Sequence, residues 1–431
     1  MKGTSDRPDG QDTGNGQPDE GSFAPDASFR TRAVHAGRAG GPVRPVSVPI
    51  VQTTAYAYAD AGIAEAVAMT GQPMYARDGM PNVLALEGAV AELEGAADAH
   101  AVASGMAAIS LTLLALLSAG DHVVLNAGGY QDTVSLLHEH LTRFGIDVTI
   151  AASNDPDAVA AAMTPATRLV LAETISNPGM VLTDVPGIAT VVHRAGARLV
   201  VDNTFATPAL CRPLGHGADL VIHSAGKFLG GHHDATGGVV AGPAPLIDAI
   251  RRAGFLFGPI LSPLDAWLIL RGIRTLAPRI TWMSASAARI AGALADHPAV
   301  RAVRYPGLPD PDRPSLAGAM LPRGAGALLA FDLAGGTEAA VAFTRHLRTI
   351  PYVASVGGTE TTVSFPPQPP TQGPGEIVRD HRCATLRMSV GLEDPADLIA
   401  DIAQALDRLD PLAPSTRHGP TAANGRPHET S

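Results

Sequence analysis

Of the 31 basic residues in this 431-residue chain, only Lys2 and Lys227 are lysines; the other 29 are arginines. A guanidinium stays protonated, whereas an amine can lose its proton and attack a carbonyl carbon. A solitary internal lysine in so arginine-rich a sequence therefore points to chemistry that arginine cannot perform. Lys227 stands in HSAGKF, just after the apolar run DLVIHS, and Asp202 closes another apolar run, RLVVD, 25 residues earlier. Ser104-Gly105-Met106 falls where HAVAS gives way to MAAISLTLLALL. There a strand turns into a helix, and the first backbone N–H groups of a helix make an anion site. An amine, an acid and a phosphate cradle at one sheet edge are what pyridoxal 5′-phosphate requires. The amine forms a Schiff base, the acid keeps the ring nitrogen protonated, and the helix end takes the phosphate. Taken singly, each has an ordinary explanation, since strand-end Asp and Ser-Gly at a helix start are common caps. Their combination with the only internal lysine favours the cofactor.

These residues must be held by regular elements, and the sequence supplies them. HAVAS, HVVLN, DVTIAA, RLVLAET, RLVVDNT, DLVIHS and GGVVAG are short continuous apolar runs bounded by turn or helix signals. Several are separated by helix-length segments, and an amphipathic helix is expected over Val83–Glu94. Apolar strands alternating with helices predict an α/β fold, a mostly parallel sheet covered on both faces, whose ligands sit at the carboxyl ends of the strands. From about Thr275 the texture changes. Helices are expected over Pro278–Asp296, Glu338–Thr349 and Pro395–Leu409, with strands GALLAFDL and LRMSVG, which together read as a smaller α+β domain. Residues 1–28 and 411–431 are polar, rich in Gly, Pro and Asp or Ser, and are expected to be disordered tails.

Composition narrows the class. Hydrophobic residues make up 45% and charged residues 17%, enough to bury a substantial core. A net charge of −10 disfavours nucleic acid as a partner. The two cysteines, Cys211 and Cys383, cannot build a disulfide scaffold or a structural zinc site alone, and no metal is expected. No signal peptide is apparent. The apolar stretch 101–119 is interrupted by Ser104, Gly105, Ser110, Thr112 and Ser118, so it reads as a strand and helix rather than a membrane span. A cytoplasmic enzyme without membrane partners is expected.

The stretch LVVDNTFATPALCRPLGHGADLVIHSAGKFLGGHHDATGG closely resembles the Cys/Met-metabolism family of PLP enzymes. PIVQTTAY, YARDGMPNVLALE, ASGMAAI, ETISNP, LSPLDAWLILRGIRTL, YPGL and LRMSVGLED extend the similarity from about Arg32 to Leu409. The family includes methionine γ-lyase, cystathionine γ-lyase, cystathionine γ-synthase and O-acetylhomoserine sulfhydrylase. The resemblance implies the fold-type-I PLP-dependent transferase architecture, with a mostly parallel seven-stranded sheet. It implies an N-terminal arm at 29–74 that contacts a partner subunit, a PLP-binding domain at 75–275 and a C-terminal domain at 276–410. By matched position Lys227 resembles the Schiff-base lysine, Asp202 the partner of the pyridine nitrogen, and Tyr130 the tyrosine that stacks on the ring and protonates a departing group. Ser104, Gly105, Met106 and Ser224 match the phosphate cradle, and Asn177 and Ser355 match residues lining cofactor and substrate. Tyr75 and Arg77 match a pair that reaches the phosphate of a neighbouring subunit, which implies a homodimer with shared sites, within a tetramer. Arg387 matches the arginine that grips the substrate carboxylate.

Departures from the family pattern bear on substrate. Gly226 stands where a phosphate-binding threonine is usual, so Gly226→Thr is expected to tighten cofactor binding. Met80 replaces an asparagine, and Gln131-Asp132 replaces Gly followed by Gly or Cys. The stretch VSFPPQPPTQGPGEIVRDHRCAT replaces a more regular one. Ala354 and Met74 stand where cystathionine lyases carry acids suited to a distal ammonium. Their absence favours a short or uncharged γ-substituent, while Asp132 would suit either a cation or a proton. The expected function is PLP-dependent γ-elimination on a γ-substituted L-amino acid, with methionine or homocysteine as default and a γ-halogenated or O-acylated substrate as a specialised form. The enzymatic alternative is γ-replacement, and the alternative of another class is a catalytically silent PLP-binding partner protein.

Overall fold

The computed structural model describes residues 27–38, 45–70, 72–365 and 385–409. The expectations for the two tails, Cys383 and most of the 363–385 stretch therefore lie outside the described residues. Ser28 is described, and it caps the first helix. Seven strands form one sheet: β1 (Asp98–Val102), β2 (His122–Leu125), β3 (Asp147–Ile150), β4 (Thr167–Glu173), β5 (Arg198–Asp202), β6 (Leu220–Ser224) and β7 (Gly238–Gly242). Each matches one of the seven apolar runs. Their order is β1-β7-β6-β5-β4-β2-β3, and every pairing is parallel except the two made by β7. The reversal has a local cause. A parallel return needs a crossover of about a dozen residues, usually a helix; the link from β6 to β7 contains no helix and is spent on the Lys227 loop.

Both faces of the sheet are buried. In β5, Leu199 and Val201 face one core while Val200 faces the other, the two-residue alternation of a strand. This double burial explains the continuous apolar runs. The helix Pro81–Glu94 starts with Pro81 in its first turn and ends at Gly95, whose φ of 75° suits glycine.

A second, antiparallel sheet comprises β8 (Val300–Arg304), β9 (Leu328–Leu333), β10 (Thr362–Ser364) and β11 (Thr385–Ser389), in the order β10-β11-β9-β8. Helices Gly336–His346 and Pro395–Leu406 help to cover it. Helix Leu276–Ala295 joins the two layers, because Leu276, Ile280 and Met283 enter the large core and Ala287, Ile290 and Leu294 the smaller one. The three C-terminal helices lie within three residues of their expected bounds. Among the described residues no helix is long and apolar enough to cross a membrane.

Candidate active site

The carboxyl ends of the parallel strands converge as open α/β sheets require. Glu173 ends β4, Asp202 ends β5 and Ser224 ends β6, and Glu173 and Asp202 are direct register partners. Together with the start of helix Gly105–Leu116 they line a pocket of about 190 Å³. Ser104, Gly105, Met106, Tyr130, Asn177, Asp202, Ser224 and Lys227 all line it. Sequence reasoning thus brought eight residues to one place.

The helix start is built for close approach. Ser104 caps it by accepting from Ala107 N at 3.1 Å, and the N–H groups of Gly105 and Met106, in the first turn, have no intrahelical acceptor. A Cβ on Gly105 would lie 2.7 Å from Ser224 Cβ, so only glycine lets the helix meet the end of β6. Ser224 N in turn donates to Thr204 Oγ1 at 2.8 Å. An oxyanion cradle of backbone N–H groups and a hydroxyl results.

Lys227 is half-buried, with no anion in contact. Burial drives its ammonium well below the ordinary lysine range, although Asp202 and Glu173 pull it back up. Its Nζ lies 5.4 Å from the centre of the Tyr130 ring and 5.6 Å from that of Phe205. Asp202 Oδ1 accepts from Thr204 N at 2.9 Å, which fixes the carboxylate at the pocket floor. Tyr130 is held at both ends: its N–H donates to Glu173 Oε1 at 2.6 Å and its hydroxyl to Asp132 Oδ2 at 2.6 Å.

Arg387 on β11 reaches over from the second sheet. It is 7% exposed, and its fork donates to Asn177 Oδ1 at 2.9 Å, Ser364 Oγ at 3.2 Å and the Ala354 carbonyl at 3.4 Å. Its Nε is buried with no acceptor, a free donor of the kind a carboxylate satisfies. Ala354 thus meets Arg387 through its backbone, and Ser355 beside it is exposed. Tyr75 and Arg77 are exposed and lie outside this pocket; the Arg77 guanidinium is 4.9 Å from the ring centres of both Tyr75 and Phe255.

Two features were not anticipated. Glu173, Thr204 and Phe205 also line the pocket. Glu173 closes RLVLAE as Asp202 closes RLVVD, and that shared position was the available signal. Burial first, and then Asp202, push the Glu173 carboxyl up to about 8. The second concerns Gly226. A Cβ there would lie 2.3 Å from the Ala235 carbonyl oxygen and 3.1 Å from Thr236 Cα. Backbone fills the space a threonine would need, so the expected gain from Gly226→Thr is overturned.

The model of the Cys/Met metabolism PLP-dependent enzyme family matches residues 30–407. The chain belongs to that family. It is a PLP-dependent enzyme with the fold-type-I architecture. The chain is 37% identical over 394 residues to the L-methionine gamma-lyase of Porphyromonas gingivalis, covering 89% of this chain and 98% of that protein. It is 39% identical over 394 residues to the O-succinylhomoserine sulfhydrylase of Pseudomonas aeruginosa, covering 89% and 96%. The crystal structure of metB from Corynebacterium glutamicum superposes with a TM-score of 0.83 at 34% identity, covering 90% of this chain and all of that one. The pocket residues fit the cofactor: the glycine cradle would suit a phosphate, the Asp202 carboxylate a protonated ring nitrogen, and the Lys227 amine an aldehyde.

Proposed function

We propose that this enzyme catalyses γ-elimination on a γ-substituted L-amino acid. The observation that carries the reading is Lys227, a half-buried amine of lowered proton affinity beside the anchored Tyr130, in a fold that also supplies Arg387 with a free buried donor. L-methionine gamma-lyases at 35–39% identity, alongside an O-succinylhomoserine sulfhydrylase at 39% and a cystathionine gamma-synthase at 38%, support chemistry at the γ-carbon. When bound, the cofactor supplies an electron sink for the carbanionic charge at Cα and Cβ.

The chain supplies the rest. Gly105, Met106 and Ser224 would hold the phosphate, and Asp202 the ring nitrogen through a charge-assisted bond worth about 1.5–3 kcal/mol. Tyr130 would lie against the ring. Arg387 would orient the substrate by its carboxylate, completing the fork with Nε. Lys227, whose proton affinity burial lowers, is suited to take the α proton at Nζ and, once that proton has been passed on, a β proton. Tyr75 and Arg77 have no place in the pocket of their own chain, which supports their reaching a partner's site in a homodimer, itself within a homotetramer. A cytoplasmic location accords with the absence, among the described residues, of a membrane-spanning helix.

The test is a panel of γ-substituted L-amino acids with parallel detection of ammonia, 2-oxo acid and the released γ-group, with and without an added thiol. Stoichiometric ammonia and 2-oxo acid support elimination. Incorporation of the thiol with retention of nitrogen would establish replacement instead.

A further inference from the structure

Tyr130 leads into the helix Gln131–Ser135, and its extended backbone (φ −53°, ψ 132°) lets its side chain turn back onto Asp132. The resulting bond from Tyr130 Oη to Asp132 Oδ2, at 2.6 Å, has the length of a charge-assisted O–H···O⁻ contact. The main-chain bond to Glu173 fixes the backbone end of the residue, and the bond to Asp132 fixes the hydroxyl. Around the ring stand Asp132, Lys227, Arg387 and the Glu173 carboxyl; burial first and then Asp132 oppose the phenolate, Arg387 favours it, and Glu173 opposes it once ionised. With burial, the balance pushes Tyr130 up to about 12. A thiol is a stronger acid than such a phenol, ionising near about 8.5 in cysteine and somewhat higher in a simple alkanethiol, so proton transfer from Tyr130 to a departing thiolate is uphill.

We infer that Asp132 retains the proton of Tyr130, so that the site is matched to γ-substituents departing as weak bases, a halide or a carboxylate, rather than as thiolates. The inference rests on γ-elimination as proposed above and names its substrate class. In the eliminating step the Cβ–H bond breaks, its proton goes to Lys227 Nζ, and its electrons form the Cβ–Cγ double bond. The Cγ–X bond breaks with both electrons leaving on X⁻. Tyr130 keeps its proton throughout. Asp132 is thus a positioning residue for Tyr130, and a halide or carboxylate needs no proton from either.

The holoenzyme should show kcat/KM for γ-chloro and O-acetyl substrates at least about tenfold above that for the methylthio substrate of the same chain length. In Asp132→Asn that ratio should fall by about tenfold or more, through a gain on the methylthio substrate, while Asp132→Glu should keep the wild-type ratio. A measurement that needs no turnover accompanies these. Absorbance of the Tyr130 phenolate, with Tyr130→Phe as reference, should emerge in Asp132→Asn at a clearly lower pH than in wild type, while burial keeps both above an ordinary tyrosine. Equal use of the methylthio substrate by wild type overturns the inference. So does an Asp132→Asn variant that slows every substrate alike with the titration unchanged. An enzyme that releases no γ-group from any of them overturns γ-elimination itself, and the titration tells that failure from failure of the Asp132 assignment.

Discussion

Replacing Glu173 by Gln keeps an acceptor for Tyr130 N–H and removes only the ability to ionise. In the folded chain Glu173 holds its proton up to about pH 8, against 4.5 for an ordinary glutamate. Between those values the native state binds one proton more than the unfolded chain, so stability falls as pH rises. The loss is complete above about pH 8 and amounts to an order of 3–5 kcal/mol. Glu173→Gln should therefore match wild type near pH 5 and exceed it by several kcal/mol at pH 8.5. Thermal or denaturant unfolding of the cofactor-free protein at the two pH values measures this directly, and taking variant minus wild type cancels the titration of other groups. The same pH dependence in both proteins would refute the idea that Glu173 is a neutral acid beside Asp202.

Lys227→Arg should abolish turnover and the long-wavelength cofactor absorbance, because a guanidinium cannot form the imine; retained activity counts against the assignment. Gly226→Thr should weaken PLP retention, measured by equilibrium dialysis, because Ala235 and Thr236 occupy the space of its side chain. Arg387→Lys should raise KM about ten- to a hundredfold with a smaller change in kcat, since an ammonium cannot reproduce the fork. Mixed Arg77→Ala and Lys227→Ala protomers should recover part of the activity that each lacks alone; no recovery in confirmed heterodimers would exclude shared sites.

Much of this site was legible because open α/β sheets gather strand ends. Lys227, Asp202 and Ser224 follow apolar runs that pack on both faces, and Ser104-Gly105 follows another at a helix start. The strands β8 and β10 escaped notice for physical reasons. VRAVR is only partly buried and carries arginines, and TVS is three residues long. The room at Gly226 is set by residues 235–236, which fold back over the Lys227 loop, so a motif comparison could not show it. The Tyr130–Asp132 bond was likewise hidden. Residues two apart on a helix do not face each other, and only the extended backbone at Tyr130 brings them together.

The most direct measurement follows a γ-substituted L-amino acid by NMR with the holoenzyme in D₂O and an added thiol. The expected result is a 2-oxo acid deuterated along its chain, released with equimolar ammonia and γ-group, while the thiol remains free. An amino acid that keeps its nitrogen and carries the thiol at Cγ would contradict elimination at Lys227.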